Sequence, residues 1–237
     1  DTLREAFRAT QAALLEQPFD TEHSGTTAVV ALVLRLPAST GDEEGQDEGE
    51  TWLFVAHVGD SRAILASHRC SEPSTAFTVT ALTRDHRADN AEEAERIRQR
   101  GGEIRRLRES SGSARVFACN QDKPGLALTR CLGAASATEC GVTAEPEVSA
   151  YRLRPGVDVL LMLGTDGLFE FCSNTSAVGQ LLRQGVSVEA LEALCTSSRD
   201  QWARSSFNET VDDITVIAAA LHSEHVNAWP PATAALQ

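Results

Sequence analysis

Four aspartates stand at the ends of apolar runs, and together they suit metal chemistry. Asp60 follows TWLFVAHV in the string VGDSR, and Asp85 follows FTVTALT in RDHR. Asp166 follows DVLLMLG in TDG, and Asp212 precedes ITVIAAAL in VDDITV. Acidic side chains at the rim of a β-core can project into a shared cleft, where uncompensated carboxylates repel one another. Divalent cations relieve that repulsion, and all-oxygen ligands select hard ions such as Mg²⁺ or Mn²⁺. One aspartate at a strand end is more often a turn or cap residue. The set of four points to metal; spacing alone goes no further.

Other chemistries are excluded cheaply. No GxxxxGK[ST], HExxH or GxSxG string occurs, and none of the six cysteines has an Arg six positions later. His222 and His225 form HxxH in a Pro-bounded tail, without a third ligand nearby. With 21 Lys plus Arg against 34 Asp plus Glu, the charge of −13 argues against nucleic acid as a partner. It does not argue against a phosphorylated substrate held through metal. Asp42, Glu43, Glu44, Asp47, Glu48 and Glu50 crowd one short stretch, which reads as a solvated loop between two strands. No apolar run approaches the ~20 residues of a membrane span, no signal-peptide layout opens the chain, and no CxxC pair occurs. The expectation is a soluble monomer of the cytoplasm or nucleus, without a membrane partner.

The elements that must position the aspartates are mostly strands. Residues 26–36, 51–58, 62–67, 77–83, 126–129, 148–153, 158–164 and 214–221 are apolar or β-branched enough for strands. Helical spacing of apolar residues marks 2–17, and 173–183 and 187–202 read as helices. Asn90 followed by Glu93 resembles a capping box that opens a charged helix ended by Gly101-Gly102. Residues 107–123 read as a mobile loop near the cleft. Consecutive runs of strands predict an α+β fold with antiparallel sheets. The reading is one domain over 1–221 and a loosely ordered tail over 222–237.

The strings SGTTAVVAL (from Ser24), VAHVGDSRAIL (Val55), LTRDHRADNAEEAERIRQRGGEI (Leu82), PGLALTRCLG (Pro124), GVTAEPEV (Gly141), LLMLGTDGLFEF (Leu160) and DDITVI (Asp212) follow in one order. That series resembles the metal-dependent protein phosphatases of type 2C, from Ser24 to Leu221. The resemblance implies two stacked antiparallel β-sheets flanked by helices, a four-layer sandwich with a binuclear Mg²⁺ or Mn²⁺ site. It also implies hydrolysis of phosphoserine and phosphothreonine esters of phosphoproteins by a metal-activated water. Residue by residue, Asp166 and Asp212 match two metal-binding aspartates, and Asp85 matches one linked to an additional metal. Glu170 stands where relatives often have Asp. Asp60 matches a position that braces the site. Arg62 and Arg130 are tempting phosphate ligands but read better as braces for carboxylates or loop carbonyls.

Departures from the family pattern set further expectations. The family places an Arg-bearing segment and a DGHGG-like loop ahead of the helix before SGTT, and residues 1–23 hold neither. The resemblance assigns that loop the bridging aspartate and general-acid histidine, so no catalytic residue is named. The sequence therefore reads as a phosphatase domain lacking its first strands, weak or inactive alone and prone to aggregate. Ala134 replaces an Asp in the LGD turn, and Asp213 replaces an Asn. The alternative is a pseudophosphatase, a binding module that kept the fold; Ala134, Glu170 and the absent loop favour it. Asp85, Asp166 and Asp212 favour the enzyme, because a dead site has no need of three carboxylates. An aspartate-nucleophile phosphatase would need DxDGT, and LGTDGLFEF lacks its first Asp.

Overall fold

The computed structural model describes residues 1–37, 49–68, 77–106, 113–205 and 211–221. Residues 42–48 of the acidic stretch, 107–112, and the tail with His222 and His225 lie outside the described residues, as does Cys70. In chain order the elements are α1 (Thr2–Leu15), β1 (Gly25–Thr26), β2 (Ala28–Leu36), β3 (Glu50–Val58), β4 (Arg62–His68) and β5 (Phe77–Ala81). There follow α2 (Ala91–Gln99), β6 (Gly102–Arg106), β7 (Ala114–Ala118), β8 (Pro124–Leu126), β9 (Leu132–Gly133) and α3 (Ala135–Thr138). The last are β10 (Glu147–Arg152), β11 (Asp158–Gly164), α4 (Asp166–Phe169), α5 (Asn174–Gln184), α6 (Val188–Ser205) and β12 (Val216–Ala220).

The α+β class holds, with antiparallel ladders β1–β9, β4–β5, β4–β11, β11–β12, β6–β7 and β7–β8. Two compact units divide the chain. The first comprises Asp1–Val30, Ala56–Ser61 and Arg84–Ser149, and the second Ala31–Val55, Arg62–Thr83 and Ala150–Gln237. Strands β2, β3 and β10 form a sheet in the order β10-β3-β2.

The second unit is built on a four-stranded sheet in the order β12-β11-β4-β5. Strand β11 lies between β4 and β12, pairing Met162 with Ile64 on one side and with Ala218 on the other. A central strand buried on both faces needs a continuous apolar run, which is why DVLLMLG does not alternate. Leu168 of α4, Leu181 of α5 and Leu194 of α6 close over Ile64, Leu160 and Met162. Each such side chain contributes roughly 1.5–3 kcal/mol on burial. Asp158 starts β11 with its carboxylate buried, held by the Ser67 hydroxyl at 2.7 Å and Arg154 at 2.9 Å.

In the first unit, Phe7 is the buried residue of α1 and packs with Ala56, Val58 and Leu132. A second cluster joins Ile97 of α2 to Val116, Cys131, Ala137 and Cys140. Among the described residues, Cys119, Cys131, Cys140, Cys172 and Cys195 are free thiols. Burial pushes the Cys131 thiol up to about 11. No helix among the described residues is long and apolar enough to cross a membrane.

Three sequence expectations need correction. The span 107–123 is not all loop: its described part holds β7, which pairs with β6 from Gly102↔Ala118 to Arg106↔Ala114. Charged residues such as Arg105 and Arg115 masked the alternation of this hairpin. The expected strand 126–129 is instead β8 over Pro124–Leu126, beyond which Leu128 and Arg130 make isolated bridges to Arg87 and Thr143. Asn90 caps α2, accepting the Glu92 N–H at 3.1 Å, but Glu93 does not close the box. Its side chain points into the protein, where two arginines hold it.

Candidate metal centre

The second unit brings Asp166 and Asp212 into adjoining segments. Thr165 leaves β11 in an extended conformation (φ −81°, ψ 167°) and turns the chain into α4, whose first residue is Asp166. The Thr165 hydroxyl donates to the Asp213 carbonyl at 3.1 Å and accepts the Thr215 N–H at 3.1 Å. Backbone bonding repeats the tie, with Thr165 N–H reaching the Thr215 carbonyl at 3.1 Å. Gly167 fits because it has no side chain: a Cβ there would stand 2.4 Å from the Asp213 carbonyl oxygen. Trp202 of α6 donates its indole N–H to the Gly167 carbonyl at 2.8 Å, fixing α4 from the other side.

Asp166 is half-buried, and Asp212, Asp213 and Glu170 are exposed. Asp212 accepts the N–H of the next residue, Asp213, on Oδ1 at 2.9 Å, which orients its carboxylate. Glu170 follows Asp166 by one helical turn, its N–H bonded to the Asp166 carbonyl at 2.8 Å. These are hard oxygen donors within reach of water, the donor set that a divalent cation of that kind requires. In donor chemistry these residues suit a hard divalent cation. Among the described residues, however, the group of three whose ligand atoms lie within 4.8 Å of one another is His57, His86 and Glu147. Arg62 is committed within this unit, to Asn174 at 3.4 Å and over the Phe169 ring at 5.4 Å.

In the first unit, Asp60 and Asp85 share a neighbour in Arg87. The Asp60 carboxylate is buried and takes two bonds from Arg87, at 2.9 and 2.7 Å. Asp85 lies 4.0 Å from the same guanidinium and is about one-fifth exposed. Asp60 thus sits as a brace, whereas Asp85 keeps access to solvent.

Sequence reasoning missed Glu93 as the carboxylate on which this unit's bracing converges. Glu93 is 1% exposed and is gripped by Arg96 at 2.7 Å, Arg130 at 2.7 Å and the Thr129 hydroxyl at 2.6 Å. Burial alone would raise its pKa, but these bonds outweigh it and hold the carboxyl well below the usual range. Arg130 also donates to the Glu145 carbonyl at 3.0 Å, so it braces a carboxylate and a loop as the sequence suggested.

His57, His86 and Glu147 also cluster, with ligand atoms within 4.8 Å of one another. The imidazole rings of His57 and His86 stack, with centroids 4.3 Å apart and planes 12° from parallel. An ion ligated by imidazole lies in the ring plane, about 2 Å from nitrogen. Two nearly parallel, stacked planes cannot both contain it. His57 Nε2 donates to the Arg84 carbonyl at 3.0 Å, and His86 Nδ1 accepts the Gly59 N–H at 3.2 Å. The trio does not fit a metal. Burial, aided by neighbouring positive charge, pushes His86 down to about 3, so it is neutral. The signal for these histidines lay in VAHVGD and RDHR, beside two of the aspartates.

The chain matches the family model Protein phosphatase 2C over residues 1–210. It is 32% identical over 218 residues to "Probable protein phosphatase 2C 12" of Oryza sativa subsp. japonica, covering 92% of this chain and 51% of that one. To "Probable protein phosphatase 2C 72" of Arabidopsis thaliana it is 32% identical over 220 residues, covering 92% and 61%. The chain thus spans about half to three-fifths of the length of these curated relatives. A solved serine-threonine phosphatase 2C from Toxoplasma gondii superimposes with a TM-score of 0.58 at 22% identity, covering 73% of this chain and 56% of that one. A second Toxoplasma gondii phosphatase gives 0.63 at 17%, covering 91% and 66%. At these identities the two structures speak for the fold alone.

Proposed function

This chain belongs to the metal-dependent protein phosphatase 2C family, and we propose that its phosphatase domain hydrolyses phosphoserine and phosphothreonine esters of phosphoproteins, using Mg²⁺ or Mn²⁺, with weak turnover by this chain alone. In this reading residues 1–221 make up the phosphatase domain and 222–237 a tail. The observation that carries the proposal is the Thr165–Asp213 hydrogen bond, which binds the segments bearing Asp166 and Asp212 to each other. Asp166 and Asp212 are the principal metal ligands, with Glu170 a further one on the next turn and Asp85 a ligand in its own unit. A divalent cation held by these carboxylates would polarise phosphoryl oxygens and bring the pKa of bound water toward neutrality. The carboxylates hold the charge that such chemistry needs, and α4 and its contacts keep Asp166 in place.

The test is phosphate release from a phosphothreonine peptide, and p-nitrophenol release from p-nitrophenyl phosphate, with Mn²⁺. Turnover that is abolished by chelation, and lowered ~100-fold in kcat/KM by Asp166→Ala or Asp212→Ala, supports the proposal. Mn²⁺ binding without turnover by the unsubstituted chain favours a binding module instead.

A further inference from the structure

His86 and His57 are buried, polar and unused by the metal reading, yet they are bonded to the two segments that carry Asp60 and Asp85. Gly59 and His86 exchange two hydrogen bonds: the Gly59 N–H donates to His86 Nδ1 at 3.2 Å, and the His86 N–H donates to the Gly59 carbonyl at 3.0 Å. A buried N–H left without a partner is costly, so the ring satisfies a need of this tight turn, where Gly59 has φ +94°. The bond also sets the tautomer. With Nδ1 accepting, the proton sits on Nε2 and is donated to Glu147 at 3.3 Å. His57 stacks on the ring and donates to the carbonyl of Arg84.

Asp85 therefore lies between two residues whose backbone groups are both pinned, Arg84 through its carbonyl and His86 through its N–H. We infer that His86, backed by His57, is a positioning residue that fixes Asp85 for a divalent cation. The inference rests on the reading of Asp85 as a metal ligand. Groups that orient a ligand without touching the ion commonly change metal affinity 10- to 100-fold when removed.

The experiment titrates the full chain with Mn²⁺ by calorimetry and by the electron paramagnetic resonance of free Mn²⁺, alongside thermal melts. Asp85→Ala is expected to remove one class of site. His86→Ala is expected to weaken that class 10- to 100-fold. His86→Asn, whose Oδ1 can accept the Gly59 N–H, is expected to stay within about 3-fold of the original. A residue of structural value alone would lower the melting temperature and leave Mn²⁺ affinity intact, and that result overturns the inference. Should His86→Ala not fold, His86→Gln decides, because its amide extends past the Nδ1 position. Weaker binding in Gln than in Asn supports the role, and equal binding refutes it. Failure of the underlying reading is seen separately. If the unsubstituted chain binds no Mn²⁺, or Asp85→Ala binds as well as it does, Asp85 leaves the metal list and the inference falls with it.

Discussion

Thr165 and Asp213 are joined by a side-chain-to-backbone bond of 3.1 Å, and the same hydroxyl receives the Thr215 N–H at 3.1 Å. One hydroxyl thereby fastens the turn that starts α4 to the segment that enters β12. Thr165→Val keeps the shape and removes both bonds, which should cost about 1–2 kcal/mol in urea unfolding at pH 7. Mn²⁺ affinity should fall with it, because Asp166 and Asp212 lose their common anchor. Thr165→Ser should retain both properties. Equal unfolding curves for Val and Ser would show that the hydroxyl is not the anchor.

Gly167 makes the same contact by having no side chain. An added Cβ would lie 2.4 Å from the Asp213 carbonyl oxygen, a distance only movement of α4 or of the 211–215 segment can relieve. Gly167→Ala should cost roughly 1–3 kcal/mol and loosen the Trp202 bond to the Gly167 carbonyl. Trp202 fluorescence and a urea titration read both effects, and an unchanged midpoint would contradict the close approach.

What was legible in the sequence follows from the kind of force involved. The buried strand DVLLMLG and the amphipathic helices announce themselves by apolar pattern, which local chemistry dictates. The aspartates were found because each follows or precedes such a run. The hairpin of β6 and β7 was missed because it carries Arg105, Arg106 and Arg115, and its pairing is decided by a partner strand rather than by its own pattern. Glu93 was read as a capping residue from its spacing to Asn90. Besides Arg96 on the next turn, its partners Arg130 and Thr129 lie 37 and 36 positions away, and no local rule reports a bond of that range.

Among the described residues, strand β2 ends its sheet in the order β10-β3-β2 and exposes Leu32, Val33, Leu34 and Leu36, each between 38% and 45%. An apolar strand at a sheet edge is a template for association with other copies. Leu34→Lys should raise the concentration at which the chain stays in solution, with little change in stability, since charge at an edge opposes strand addition. Light scattering against concentration measures this, and unchanged scattering would place the association elsewhere.

Glu93 sets a pH dependence whose sign is fixed by its surroundings. Its carboxyl is held below the usual range when folded, against about 4.3 in an unfolded chain. The stabilisation is therefore fully present above about pH 4.3 and is lost as pH falls through the lower, folded value. Glu93→Gln leaves Arg96 and Arg130 without their shared anion, and removing one partner of a buried ion pair costs about 3–5 kcal/mol. The variant should be less stable by about that amount at pH 7, and the gap should narrow as pH drops below about 4. Urea unfolding of both proteins at pH 7, 5, 4 and 3 measures the gap directly. A difference that stays constant across that range would mean that the ionised carboxylate is not what the two arginines hold.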